Sequence, residues 1–196
     1  MIDQFGIIEQ ISLKTPDTTV ITATTLGLMR KHNLRGKQVY FDRGGGGKQH
    51  ADRVRAQGYN VQTVGFGGGT SQEIRRGYTG HEVRKEEAEE RYVYRNRRAQ
   101  MYHMLRLLLD PTENPKGFGI PRELVELRRQ MAPIPLKYSE EGVIYMLSKG
   151  VTEAAKRRGE PTLIDLIGHS PDELDSLVLA VFGLMGRKHI QTAGAI

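Results

Sequence analysis

The chain has 196 residues, 29 Lys+Arg against 23 Asp+Glu, and no cysteine. That length suits one domain with a proper core, and the lack of thiols excludes disulfides and cysteine-ligated zinc. A net charge of +6 favours a polyanionic partner only mildly. No apolar run nears the ~18 residues of a membrane span and no signal-peptide pattern opens the chain, so it reads as soluble, intracellular and without a membrane partner.

In chain order, Gly6 to Leu13 reads as an Ile-rich strand. Thr15-Pro16-Asp17 starts a helix that spans Thr18 to His32 and ends in Arg30, Lys31 and His32, basic residues suited to a helix C-terminus. Gln38 to Phe41 is a short buried strand, Lys48 to Gln57 a helix closed by Gly58, and Asn60 to Phe66 a further strand. Strand–helix–strand–helix–strand is the signature of an α/β sheet with partly parallel pairing.

Gly65 to Gly80 reads as a loop. Glu82 to Leu109 reads as one long helix, acidic first and basic in its middle. Asp110 to Gly119 is a loop, and Pro121 to Met131 a short helix with Pro121 in its first turn. Pro133 to Lys149 is extended, with a turn near Glu141-Gly142. Lys156 to Pro161 is a basic, mobile connector, and Pro171 to Met185 is the last helix, with Leu174, Leu177, Val178, Val181, Leu184 and Met185 as its core stripe.

The run Phe41-Asp42-Arg43-Gly44-Gly45-Gly46-Gly47-Lys48-Gln49 places an acid at a strand end beside a loop without side chains. It is not a P-loop, because Gln49 stands where a magnesium-binding hydroxyl is needed and Asp42 where the first glycine belongs; the dinucleotide-binding spacing fails at Gln49 too. What remains is a loop whose backbone can approach a phosphodiester closely. Asp42 alone also suits a turn or helix cap.

Ser170-Pro171-Asp172-Glu173 is a helix start, with Ser170 and Glu173 spaced as a capping box. Asp172 and Asp175 share a helix face. Two carboxylates there can offer hard oxygens to a divalent cation, Mg²⁺ or Mn²⁺ in a site without thiols. His169 suits capping better than metal ligation. Phosphodiester hydrolysis by two metals needs three or four carboxylates converging from separate elements, and Asp42, Asp172 and Asp175 supply three. Arg91, Arg95, Arg97 and Arg98, interleaved with Tyr92, Tyr94 and Tyr102, can track a DNA backbone or form a plain solvated helix face. The Arg75-Arg76 and Lys156-Arg157-Arg158 clusters carry the same two readings.

Phe41 to Asp52, then Gly58-Tyr59-Asn60-Val61 and Val64-Gly65-Phe66-Gly67, resemble the nuclease domain of the large subunit of tailed-phage terminases. So do Tyr94 to Tyr102 and Ser170 to Leu177, so the likeness spans nearly the whole chain. The resemblance implies an RNase H-like α/β fold, a mixed sheet flanked by helices. It also implies a two-metal endonuclease that cuts concatemeric double-stranded DNA during packaging, working in the host cytoplasm with a terminase small subunit and a portal. Asp42 matches the family's strand-end acid, Asp172 its C-terminal helix acid, and Asp175 is the neighbouring candidate. Lys48, Arg95 and Arg98 are expected phosphate contacts.

The family carries its first catalytic aspartate on an earlier strand, behind an ATPase motor. Residues 1–196 are therefore expected to form a single nuclease domain that begins after that strand, lacks the motor, and cuts weakly or not at all unless completed. A junction resolvase of the same fold would differ by dimerising on branched DNA. A non-catalytic DNA- or protein-binding remnant would ignore Mn²⁺.

Overall fold

The computed structural model describes residues 1–69 and 92–192. Asp17 caps the first helix, α1 (Thr18–Lys31), by accepting the Thr19 N–H at 2.8 Å, while Arg30 and Lys31 complement its C-terminal dipole. A 3₁₀ turn (Gly36–Gln38) leads into β1 (Tyr40–Asp42). Helix α2 (Gly47–Ala56) then crosses to β2 (Gln62–Val64), and the two strands pair in parallel with Tyr40 opposite Gln62, Phe41 opposite Thr63 and Asp42 opposite Val64. Parallel strands need such a crossover, and Gly58, at φ +87°, ends it as expected.

The pleat of this pair divides the interior. Val39, Phe41 and Val61 belong to a small apolar cluster with Met29, Ala51 and Val54 from α1 and α2. Tyr40, Val64 and Phe66 point the other way, into the main core, as strand alternation requires. That core is built from α3 (Arg97–Leu109), α4 (Val125–Met131), β4 (Ile144–Tyr145), α6 (Leu163–Ile167) and α7 (Asp172–Thr192); β4 pairs as an antiparallel hairpin with β3 (Lys137–Tyr138), and α5 (Glu153–Arg158) precedes α6 in the chain. The hairpin turns at Gly142, φ +76°, where the sequence places it. Of the expected α7 stripe, Leu174, Leu177, Val178, Val181 and Met185 are buried and Leu184 is half-buried. A side chain at Gly183 would lie 2.4 Å from the Tyr40 ring, so glycine there lets α7 lie against β1. No described helix is long and apolar enough to cross a membrane.

Several elements differ from the sequence expectation. Gly6 to Leu13 is not a strand. Gly6 bridges Gly119 and Ile7 bridges Ile2, but Ile8, Ile11 and Leu13 lie 45–51% exposed. Isoleucine favours strands only where a packed face exists, and among the described residues no strand runs beside this segment. The long helix is broken: residues 92–96 are extended, Tyr94 bridges Ile144, and Asn96 caps α3 by accepting the Ala99 N–H at 3.0 Å. Its expected acidic half lies outside the described residues, as do Arg75, Arg76 and Arg91. α4 starts at Val125, because Pro121 to Leu124 form a turn first.

The basic connector is largely the helix α5, which Thr152 caps and which Gly159 ends at φ +60°. α6 has no counterpart in the sequence expectation, although Thr162 and Asp165 form its capping box. At α7 the expected capping box is absent. Glu173 accepts from Ser12 Oγ at 2.6 Å, and the Ser170 hydroxyl donates to Asp172.

Candidate metal centre

The carboxyl end of the parallel pair is where the candidate acids lie. Asp42 ends β1 on the pleat face of Tyr40, the face that meets α7. Its Oδ1 accepts the Gly44 N–H at 3.1 Å. The glycines that follow meet a local need: Gly45 and Gly46 are left-handed, at φ +55° and +87°, and a side chain at Gly47 would strike the Asp42 carbonyl oxygen.

α7 runs antiparallel to β1. Gly183 touches Tyr40 at the strand's start, and Asp175, about 12 Å earlier along the helix, lies beside the loop that follows β2. Arg98 makes the connection. Its guanidinium stacks on Phe66 at 4.7 Å from the ring centre, its Nη1 donates to Asp175 Oδ1 at 3.0 Å, and its backbone N–H bonds Phe66.

Asp175 is 14% exposed and fully engaged. Arg98 and the Tyr102 hydroxyl, at 2.8 Å, donate to Oδ1, and Lys149 Nζ donates to Oδ2 at 3.0 Å. Burial, with Asp175 beside it, pushes the Tyr102 phenol well up, so it stays protonated and donating. Lys149 also reaches Asp172 Oδ1 at 2.9 Å. Burial alone would lower the Lys149 pKa, but the two aspartates outweigh it and raise it. Burial would likewise raise the Asp172 carboxyl; the Ser170 hydroxyl and Lys149 outweigh it and hold the group below its ordinary range. The ammonium thus lies between two carboxylates, where a hard cation would coordinate.

The structure brings Asp172 and Asp175 together on one ammonium and does not bring Asp42 into the same cluster. Among the described residues, no group of three or more His, Asp or Glu is close enough together to hold a metal ion. His169 is occupied otherwise: one ring nitrogen lies 2.8 Å from the Ser170 carbonyl and the other 2.8 Å from Glu126. Of the expected phosphate contacts, Lys48 is exposed on α2, Arg95 is exposed before α3, and Arg98 is committed to Asp175. Sequence reasoning missed Lys149 and the part played by Tyr102. Tyr102 carried a weak signal, four residues after Arg98 on one helix face; Lys149 carried none.

No protein-family model and no curated protein matches the sequence. Solved structures do match. The nuclease domain of the large terminase subunit gp2 of bacterial virus Sf6 superposes with a TM-score of 0.53 at 17% identity, covering 82% of this chain and 70% of that one. A lysine-to-alanine variant of that domain, with manganese and β-thujaplicinol, gives 0.56 at 17% identity over 87% of this chain and 74% of that chain. The same substitution in gp2c, with calcium, gives 0.53 at 16% identity. The fold is that of a phage terminase nuclease domain. In terminase nuclease terms, this chain is a mixed α/β unit in which α3 carries Arg98 and Tyr102, α7 carries Asp172 and Asp175, and the segment after β4 carries Lys149, beside a small sheet ending in Asp42.

Proposed function

We propose that the chain is a divalent-metal-dependent DNA endonuclease domain of a viral packaging terminase, cutting concatemeric double-stranded DNA in the host cytoplasm. Asp42, Asp172 and Asp175 would hold Mg²⁺ or Mn²⁺, in the two-metal arrangement the family resemblance implies, and a terminase small subunit and portal would be its partners. The observation that carries this reading is the Asp172–Lys149–Asp175 arrangement at the start of α7, beside the carboxyl end of the β1–β2 pair, in a terminase nuclease fold.

The chain's own groups have distinct tasks. Arg98 and Tyr102 fix the Asp175 carboxylate so that one oxygen faces Lys149. Lys149 keeps two nearby negative charges together while no other cation lies between them, and its flexible stem allows it to withdraw. Asp42 adds a carboxylate beside a loop bare enough to admit a phosphodiester. Bound divalent cations would activate water and offset charge on the leaving oxygen. Lys48 and Arg95 would hold flanking phosphates.

Plasmid cleavage with Mn²⁺ tests this reading, wild type beside Asp172→Asn and Asp175→Asn. Nicking or linearisation by wild type alone supports it. Cleavage that survives both substitutions, or that ignores EDTA, refutes it. A non-catalytic DNA-binding reading has one observation in its favour, the internal ammonium between Asp172 and Asp175. It predicts salt-sensitive DNA binding indifferent to Mn²⁺ and to Asp42→Asn.

A further inference from the structure

A second charged cluster lies away from the candidate acids, around Tyr145 on β4. Its base is Glu160, whose side chain is 9% exposed. One Glu160 oxygen accepts from Lys137 Nζ and from the Tyr145 hydroxyl, each at 2.9 Å, and the other accepts from Arg158 Nε at 2.5 Å. Burial would raise the Glu160 pKa, yet Arg158, Lys137 and Tyr145 outweigh it and bring the group down to about 2. The tyrosine ring is thereby pinned, and two guanidiniums stack on it: Arg95 at 4.8 Å from the ring centre and Arg158 at 5.9 Å.

Two cations, Lys137 and Arg158, therefore share one buried carboxylate, and a third, Arg95, lies on the same tyrosine ring. Among the described residues no carboxylate lies within ion-pair distance of Arg95. Glu141, across the hairpin turn, feels its field only weakly and is held mainly by Ser139. Arg95 and Arg158 are exposed yet fixed in orientation, so little side-chain freedom is lost when their N–H edges engage an anion. A guanidinium held flat on a ring presents a fork of donors suited to a phosphate. Both guanidiniums lie within 5.9 Å of one ring centre, a span of a few base steps at about 3.4 Å each. Tyr145 is four residues before Lys149 and Arg95 three before Arg98, so the cluster lies at most about 14 Å along the chain from the groups that hold Asp175.

We propose that Arg95 and Arg158, braced by Tyr145 and Glu160, form a phosphate clamp that grips the backbone of duplex DNA beside the candidate metal centre. The clamp rests on the reading of this chain as a DNA-acting domain. Its contacts carry no sequence information, because phosphate contacts position the protein and do not read bases.

The test is a salt titration of binding to a mixed-sequence duplex of about 30 base pairs, in EDTA, by the whole chain. Removing one arginine–phosphate interaction should flatten the slope of log K against log salt by about 0.9. Arg95→Gln should therefore flatten it by about 0.9 and the Arg95→Gln/Arg158→Gln pair by about 1.8, with at least about tenfold weaker binding near 0.1 M salt. Lys31→Gln, which removes an exposed charge paired with Glu9 on α1, should bind more nearly like wild type than Arg95→Gln does. Wild-type slope and affinity in the Arg95→Gln chain would overturn the proposal, and so would weaker binding with an unchanged slope. Arg95→Gln decides alone if the double variant misfolds, since Arg95 does not brace Glu160. EDTA keeps cleavage out of the readout, so a chain that binds through the clamp but never cuts would keep this inference and lose the nuclease.

Discussion

Asp42 and Asp175 lie toward the same end of the parallel strand pair, yet they are held by opposite means. The half-buried Asp42 carboxylate accepts from a backbone N–H in its own glycine loop. Asp175 is 14% exposed and takes three side-chain donors from two other parts of the chain. A carboxylate held by a local amide is free to rearrange around a ligand. A carboxylate held by a guanidinium, a phenol and an ammonium is also a tie between α3, α7 and the segment after β4. The same residue type should therefore fail in different ways when removed.

The largest effect should come from Asp175→Ala, which strands the Arg98 guanidinium and the Tyr102 hydroxyl without their acceptor and leaves Lys149 with Asp172 alone. Breaking such a pair costs about 3–5 kcal/mol, and we expect chemical denaturation to show a loss of that order; a loss under about 1 kcal/mol would mean the tie is idle. Next is acid sensitivity, centred on α3. His103 is 3% exposed, with its ring nitrogen 2.8 Å from the Tyr94 hydroxyl, and burial, with Arg106 adding to it, pushes its pKa down to about 4. The unfolded chain takes up that proton near pH 6.5, before the folded one does. Stability should thus fall as pH drops from about 6.5 to about 4, by up to about 3 kcal/mol, and His103→Leu should flatten that part of the profile.

Gly183→Ala should cost about 1–3 kcal/mol, because the added methyl strikes the Tyr40 ring. Tyr102→Phe removes one donor to a carboxylate and should cost about 1.5–3 kcal/mol where that bond is fully formed; no change in the unfolding midpoint would detach Tyr102 from the tie. Asp42→Asn should move stability least, within about 0.5 kcal/mol.

The legibility of the two acids follows from the same contrast. Asp42 can be found from the sequence because everything that places it is local: a short apolar strand before it and glycines after it. The face shared by Asp172 and Asp175 is equally local, set by helix geometry. The donors to Asp175 are not, since Lys149 comes from a segment 26 residues earlier and Arg98 from 77 residues earlier in the chain.

The β1–α2–β2 unit, α1 and the hairpin are legible because caps, left-handed glycines and alternation agree there. Gly6 to Leu13 misleads because strand propensity has no meaning without a face to pack on. The helix expected over Glu82 to Leu109 rests on charge order alone; Asn96, a good cap inside it, breaks the pattern at Arg97. In α5 the run Lys156-Arg157-Arg158 reads as a connector, but it complements a helix C-terminus. Arg158 then turns back to Glu160, a pairing that neither residue advertises.

The central claim is that these acids serve chemistry and not only architecture. Its most direct test is Mn²⁺-dependent plasmid cleavage by Asp42→Asn beside wild type, with thermal unfolding measured on both. The account predicts matching unfolding midpoints and cleavage reduced at least about 100-fold. An Asp42→Asn chain that folds normally and cuts at the wild-type rate would contradict it.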